Sequence, residues 1–223
     1  MRIGINCGHT KSGVGCGAIG YLNESDEVRK VGYRLMEYLR AAGHEVFDCT
    51  NDKASSVSAN LKNIVAMEKA QSLHQFVSIH FNAGGGQGVE VYTYGGKKHN
   101  EAVNVCKNLA KLGFRNRGVK DGSHLYVVKN TKSKAMLIEV CFVDTESDAV
   151  LYRQIGADEI AKAIFNGIIG KVVADTTLEE DCRLLAREGI INSPEYWAKG
   201  GDYSEENTAL LIKKFANYVR GNG

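Results

Sequence analysis

The 223-residue chain carries 28 Lys and Arg against 26 Asp and Glu, a formal net charge of +2, with 43% hydrophobic and 24% charged residues. That composition excludes an intrinsically disordered chain and offers no broad basic field for nucleic acid. No apolar run approaches the ~18 residues that a membrane span requires, so neither nucleic acid nor membrane is an expected partner.

Arg2–Cys7 reads as a strand and leads into a glycine-rich loop, Gly8 to Gly20. With the strand starting at once after Met1, the h-region of a secretion signal is missing, and the expected location is the cytoplasm of the producing cell. Asn23 can cap a helix whose first turn is acidic (Glu24, Asp26, Glu27) and whose apolar stripe runs Val28, Val31, Leu35, Tyr38, Ala42. Gly43 ends it. Glu45–Cys49 is a short strand, and Val57–Leu73 a helix. Phe76–Phe81 and Val89–Tyr94 follow as strands, then a helix over Asn100–Leu112, strands at Leu125–Val128 and Met136–Phe142, and a closing helix over Asp158–Ile169. Alternation of this kind predicts an α/β fold: a mostly parallel twisted sheet with helices on both faces.

The texture changes after Lys171. Val172–Thr177 reads as a linker. Leu178–Glu188, the stretch Gly189–Trp197 and Leu210–Arg220 form a small all-helical C-terminal domain that holds the only Pro and the only Trp. The expected division is therefore 1–171 and 178–223.

Ligands of open parallel sheets bind at the carboxyl ends of the strands. His9 follows the first strand, His80 and Asn82 close the Phe76–Phe81 strand, and Glu139 interrupts the apolar run Met136–Val140. Counting back four residues from Val28 places Glu24 at the head of the same helix stripe, against the sheet. Such groups are costly to bury unless paired or bound to a metal. Two His and one Glu with an open fourth position can hold a catalytic zinc, and a further carboxylate, here Glu139, can then activate water and return its proton to a leaving amine. Isolated core histidines are common, so spacing leaves the metal-free alternative standing. His44, His74, His99 and His124 read as surface residues. Neither Gly13–Gly20 nor Gly84–Gly86 matches a phosphate-binding motif.

The strings Ile5-Asn6-Cys7-Gly8-His9, Asn23-Glu24, Ser78-Ile79-His80-Phe81-Asn82-Ala83 and Leu137-Ile138-Glu139-Val140-Cys141-Phe142, in this order, resemble the zinc-dependent N-acetylmuramoyl-L-alanine amidases of type 3 over about residues 1–170. The resemblance implies a Zn2+ cofactor with His9, Glu24 and His80 as ligands and Glu139 as the catalytic carboxylate. It implies as substrate the amide between N-acetylmuramic acid and L-alanine in bacterial cell-wall peptidoglycan. Asn82 is the expected substrate contact. An amidase without a leader and with an appended tail looks like a phage endolysin that waits in the host cytoplasm and reaches the wall after release. A mother-cell or autolytic amidase would share these features.

Six cysteines (Cys7, Cys16, Cys49, Cys106, Cys141, Cys182) form no CxxC pair and read as free thiols. A cysteine hydrolase using Cys141 or Cys16 is the competing enzyme class, and a catalytically dead wall-binding module would have no need of Glu139. For the C-terminal domain the expected roles are cell-wall binding first, a homodimer through this domain second, and docking on the catalytic domain third.

Overall fold

Six strands form one sheet in the computed structural model, which describes residues 1–170, 178–199 and 203–219. The strands are β1 (Arg2–Cys7), β2 (Glu45–Asp48), β3 (Gln75–Asn82), β4 (Val89–Thr93), β5 (Asn116–Asp121) and β6 (Lys134–Phe142), in the order β2-β1-β3-β6-β4-β5. The first four in that order run parallel. β4 is antiparallel to β6, and β5 is parallel to β4. The reversal brings the first residues of β4 and β5 beside the last residues of β3 and β6.

Five helices belong to this part of the chain: α1 (Glu24–Ala41), α2 (Val57–Lys69), α3 (Asn100–Lys111), α4 (Tyr126–Asn130) and α5 (Glu146–Ile169). Period-two alternation sorts the strand side chains. Ile3, Ile5, Val77, Ile79, Ile138 and Val140 enter one cluster with Val28, Val31 and Leu35 of α1, Val105 and Leu109 of α3, and Ile160 and Ile164 of α5. Phe76 and Leu137 point the other way, into a second cluster with Ile64 and Val65 of α2 and Val127 and Val128 of α4. Further along that second face stand His80 and Glu139, both incompletely buried.

Asn23 occupies the cap position of α1, but its side chain makes no capping bond; the acidic first turn supplies the favourable charge instead. Ser56 does cap α2, accepting from the Ala59 N–H at 3.0 Å. α2 stops at Lys69, short of the expected Leu73.

Three readings of the sequence need correction. Leu125–Val128 is no strand. Leu125 precedes α4, and the Lys129 N–H donates to the Leu125 carbonyl at 2.9 Å. Four apolar residues in a row suit a buried helical turn as well as a strand, and here Val127 and Val128 pack into the second cluster. β5 is a strand that the apolar pattern does not mark, because an edge strand spelled Asn-Arg-Gly-Val-Lys-Asp shows little alternation. The last helix begins at Glu146, twelve residues before Asp158, and is broken at Gly156, whose φ of 82° and ψ of 156° leave the helical region.

The chain divides into two units, Met1–Lys171 and Val172–Gly223. The second contains α6 (Leu178–Arg187), α7 (Pro194–Ala198) and α8 (Glu205–Val219). Gly189, at φ 70°, follows α6, and Pro194 opens α7. Cys182, Ile190 and Ile191 are buried, with Leu185, Trp197 and Leu211 packed on them, so the lone Trp serves the small core. On α8, Leu211 packs, while Leu210 and Phe215 remain about half exposed. The expected linker Val172–Thr177 and Arg220 lie outside the described residues. No described helix is long and apolar enough to cross a membrane.

Candidate active site

His9 sits two residues past β1 with φ of 61°, the one non-glycine residue of positive φ among the described residues. Local bonds hold it there. The Thr10 N–H donates to the Gly15 carbonyl at 3.1 Å, and His9 Nδ1 lies 3.2 Å from the same oxygen. Buried Arg29 donates to the His9 carbonyl at 3.1 Å while its guanidinium pairs with Asp52 at 2.6 Å. The other ring nitrogen, Nε2, faces Glu24 Oε1 at 3.1 Å.

Glu24, at the start of α1, is 3% exposed. Its Oε1 also faces His80 Nδ1 at 3.2 Å and accepts from the Phe81 N–H at 3.0 Å; its Oε2 accepts from the Ala18 N–H at 3.0 Å. Burial pushes its pKa up, but the bonds from His80 and His9 outweigh that and hold the carboxyl well below the usual range. Burial lowers the pKa of His80. At His9 burial acts in the same direction, yet the Glu24 carboxylate prevails and raises it.

The ligand atoms of His9, Glu24 and His80 all lie within 4.8 Å of one another. The 3.1 and 3.2 Å separations from Glu24 approach the edge of about 3.4 Å expected for a tetrahedron with metal bonds of about 2.0–2.1 Å. The surrounding backbone is cut to fit. A Cβ on Gly8 would overlap the His80 ring, and one on Gly17 would lie 2.6 Å from Glu24 Oε2. Two imidazoles and a carboxylate suit zinc.

Glu139 stands beside His80, its register partner across β3 and β6. Its Oε2 is buried without a hydrogen-bond partner among the described residues. Burial, reinforced by the charges of Glu24 and Glu90, pushes its pKa up to about 8. Glu90 faces it directly from β4 in the antiparallel register. Like charges so placed repel, yet Glu90 is itself fully bonded. Its Oε1 accepts from Asn82 Nδ2 at 2.7 Å and the Tyr92 hydroxyl at 2.9 Å, and its Oε2 from Arg117 Nε at 2.6 Å. Asn82 Oδ1 accepts from the Ala83 N–H at 2.9 Å, so both ends of this side-chain amide are bonded.

The structure thus brings His9, Glu24 and His80 together, with Glu139 at their side and Asn82 one step along. Sequence reasoning missed Glu90 and Arg117. Glu90 carries the same signal as Glu139, a carboxylate inside an apolar strand, but its alternation with Val89 and Val91 reads as a solvent-facing position. The remaining histidines lie elsewhere: His74 Nδ1 accepts from the Arg2 N–H at 2.9 Å, and His124 is an exposed loop residue against the Tyr92 ring.

No disulfide links the six cysteines. Cys141 is fully buried and its thiol pKa is raised by burial, which denies it the thiolate a nucleophile needs. Cys16 is exposed, but both ring nitrogens of neighbouring His9 are taken by Gly15 and Glu24.

An α/β domain that gathers such a donor set beside an unpartnered acid, at the strand ends of its sheet, is built as a hydrolase with room for a metal. Residues 3–170 match the family model described as N-acetylmuramoyl-L-alanine amidase, and the chain belongs to that family. An uncharacterized protein of Clostridium perfringens (strain 13 / Type A) is 31% identical over 99% of this chain and 67% of its own length, an alignment that includes the second unit. The endolysin of Bacillus phage SPP1 is 28% identical over 67% of this chain and 58% of its own. The chain therefore spans between about half and two thirds of the length of these relatives. Among solved structures, the catalytic domain of the CD27L endolysin targeting Clostridia Difficile superposes with a TM-score of 0.71 at 29% identity, covering 77% of this chain and 98% of that one.

Proposed function

We propose that the first unit is a zinc-dependent peptidoglycan amidase, cutting the amide between the lactyl group of N-acetylmuramic acid and the L-alanine of the stem peptide. The observation that carries this reading is the pairing of the His9, Glu24 and His80 donor set with a buried, unpartnered Glu139. Held by those three side chains, zinc would polarise the scissile carbonyl and make water a stronger acid.

The chain's own groups do the rest. Glu139 takes the proton that water releases as it attacks the carbonyl carbon. It then gives that proton to the amide nitrogen as the C–N bond breaks, leaving a muramic carboxylate and a peptide with a new amino terminus. Its Oε2, without a hydrogen-bond partner among the described residues, is free to take up and release that proton. Glu24, held ionised, serves as ligand rather than base. Asn82, bonded through Nδ2 to Glu90, is the substrate contact proposed beside it.

The endolysin relatives support a lytic role against the wall, with this protein acting as a phage endolysin. The second unit has an open groove of about 320 Å³ lined in part by Tyr196, Trp197 and Asn207, which supports a wall-binding role.

Digestion of purified peptidoglycan tests the reading. New amino termini should appear, a chelator should stop their release, zinc should restore it, and thiol alkylation should leave it unchanged. Release of reducing sugar ends in place of amino termini, or loss of activity on alkylation, would overturn it.

A further inference from the structure

We propose that Arg117 anchors a carboxylate of the substrate's peptide stem, two or three residues beyond the scissile amide; this rests on the amidase reading above. His80 on β3, Glu139 on β6 and Glu90 on β4 occupy facing register positions on three neighbouring strands, and Arg117 reaches Glu90 from β5, the next strand. Strands lie about 4.8 Å apart, so this row extends roughly 10 Å from His80 to Glu90 on β4, where the Arg117 guanidinium sits. An extended peptide advances about 3.3–3.6 Å per residue. With the scissile bond at His80 and Glu139, a stem lying across the strand ends carries its second or third residue to Arg117.

The chemistry of Arg117 exceeds what a structural ion pair needs. Only Nε is used, on Glu90 at 2.6 Å, and among the described residues no acceptor engages either Nη. The guanidinium carbon lies 5.1 Å from the centre of the Phe142 ring, and the side chain keeps 31% of its surface exposed. A planar fork fixed at one edge by a buried carboxylate and on one face by an aromatic ring is preset to receive a second carboxylate, at little entropic cost. Without it these strands would present Glu139 and Glu90, whose carboxylates repel an anionic peptide, so this cation makes the strand ends compatible with one.

The test uses the full chain digesting solubilised wall fragments. Two muramoyl peptides compete, identical except for free carboxylates or carboxamides on their second and third residues. For the wild type, the acid form should compete about ten- to a hundredfold better, the scale of a charge-assisted bond. In Arg117→Gln that ratio should collapse to near one. A ratio of two competitors on one preparation does not depend on how much of it is folded. Should the unpaired Glu90 prevent Arg117→Gln from folding, the double variant Glu90→Gln, Arg117→Gln keeps a neutral pair and should show the same collapse. Equal or absent competition by the two peptides with the wild type, or an undiminished ratio in the variants, overturns the anchor while wall cleavage stands. Wall fragments left uncut by the wild type would instead remove the amidase reading, and the anchor with it.

Discussion

Glu24, at the head of α1, and Glu139, on β6, are both withdrawn from water, yet they are furnished in opposite ways. Glu24 is faced by two imidazoles and two backbone N–H groups, whereas Glu139 has an oxygen with no partner among the described residues. Burial penalises the charge of both. At Glu24 the donors outweigh it and the carboxyl stays ionised; at Glu139 two neighbouring acids add to it and raise its proton affinity. Partners, more than depth, decide which acid is a ligand and which moves protons.

The largest effect should come from taking a donor out of the first side. His80→Ala should abolish zinc binding and wall cleavage together, with metal content and released amino termini measured on one sample. Full zinc occupancy in that variant would break the ligand assignment. Gly8→Ala should act more mildly, pushing the His80 ring aside and weakening zinc about 10–100-fold, as misplaced ligand supports do. A competitive zinc titration checks it, and unchanged affinity would show that the glycine is dispensable.

The other side can be sharpened by pH in the metal-free protein. Glu139 has a folded pKa of about 8 against an ordinary value of 4.5, so its contribution to stability is complete below about 4.5 and is lost as pH rises through 8. Glu139→Gln removes that loss. Thermal melts in chelator from pH 5 to 9 should show the variant gaining on the wild type as pH rises, and a constant difference would count against the raised value. Zinc binding itself should weaken in acid, because the imidazoles must be neutral to coordinate.

The smallest effect concerns the second unit. Residues 1–171 should cleave soluble wall fragments at nearly the full rate but lyse intact walls several-fold more slowly. Equal loss on both substrates would point to docking or dimerisation instead of wall targeting, and sedimentation with and without walls separates those two.

Much of the site is legible in the amino-acid sequence. His80 and Glu139 announce themselves as polar letters in apolar strands, and the apolar spacing of α1 places Glu24 against the sheet. What the sequence hides has physical reasons. β5 is an edge strand whose Val119 is its one apolar residue, so no alternation marks it. The first half of α5 is separated from the second by the break at Gly156, and the periodicity does not run through it. Glu90 becomes meaningful only through the antiparallel register that sets it against Glu139, and register is a long-range property. Arg117 lies on β5 and shares its silence.

One paired measurement bears most directly on the contrast between the two acids: zinc content and turnover of Glu24→Gln and Glu139→Gln, prepared side by side. Glu24→Gln should lose zinc and activity together. Glu139→Gln should keep its zinc while turnover falls by roughly 10²–10⁴-fold. Loss of zinc from both variants, or retention of activity in Glu139→Gln, would contradict the division of labour proposed for the two acids.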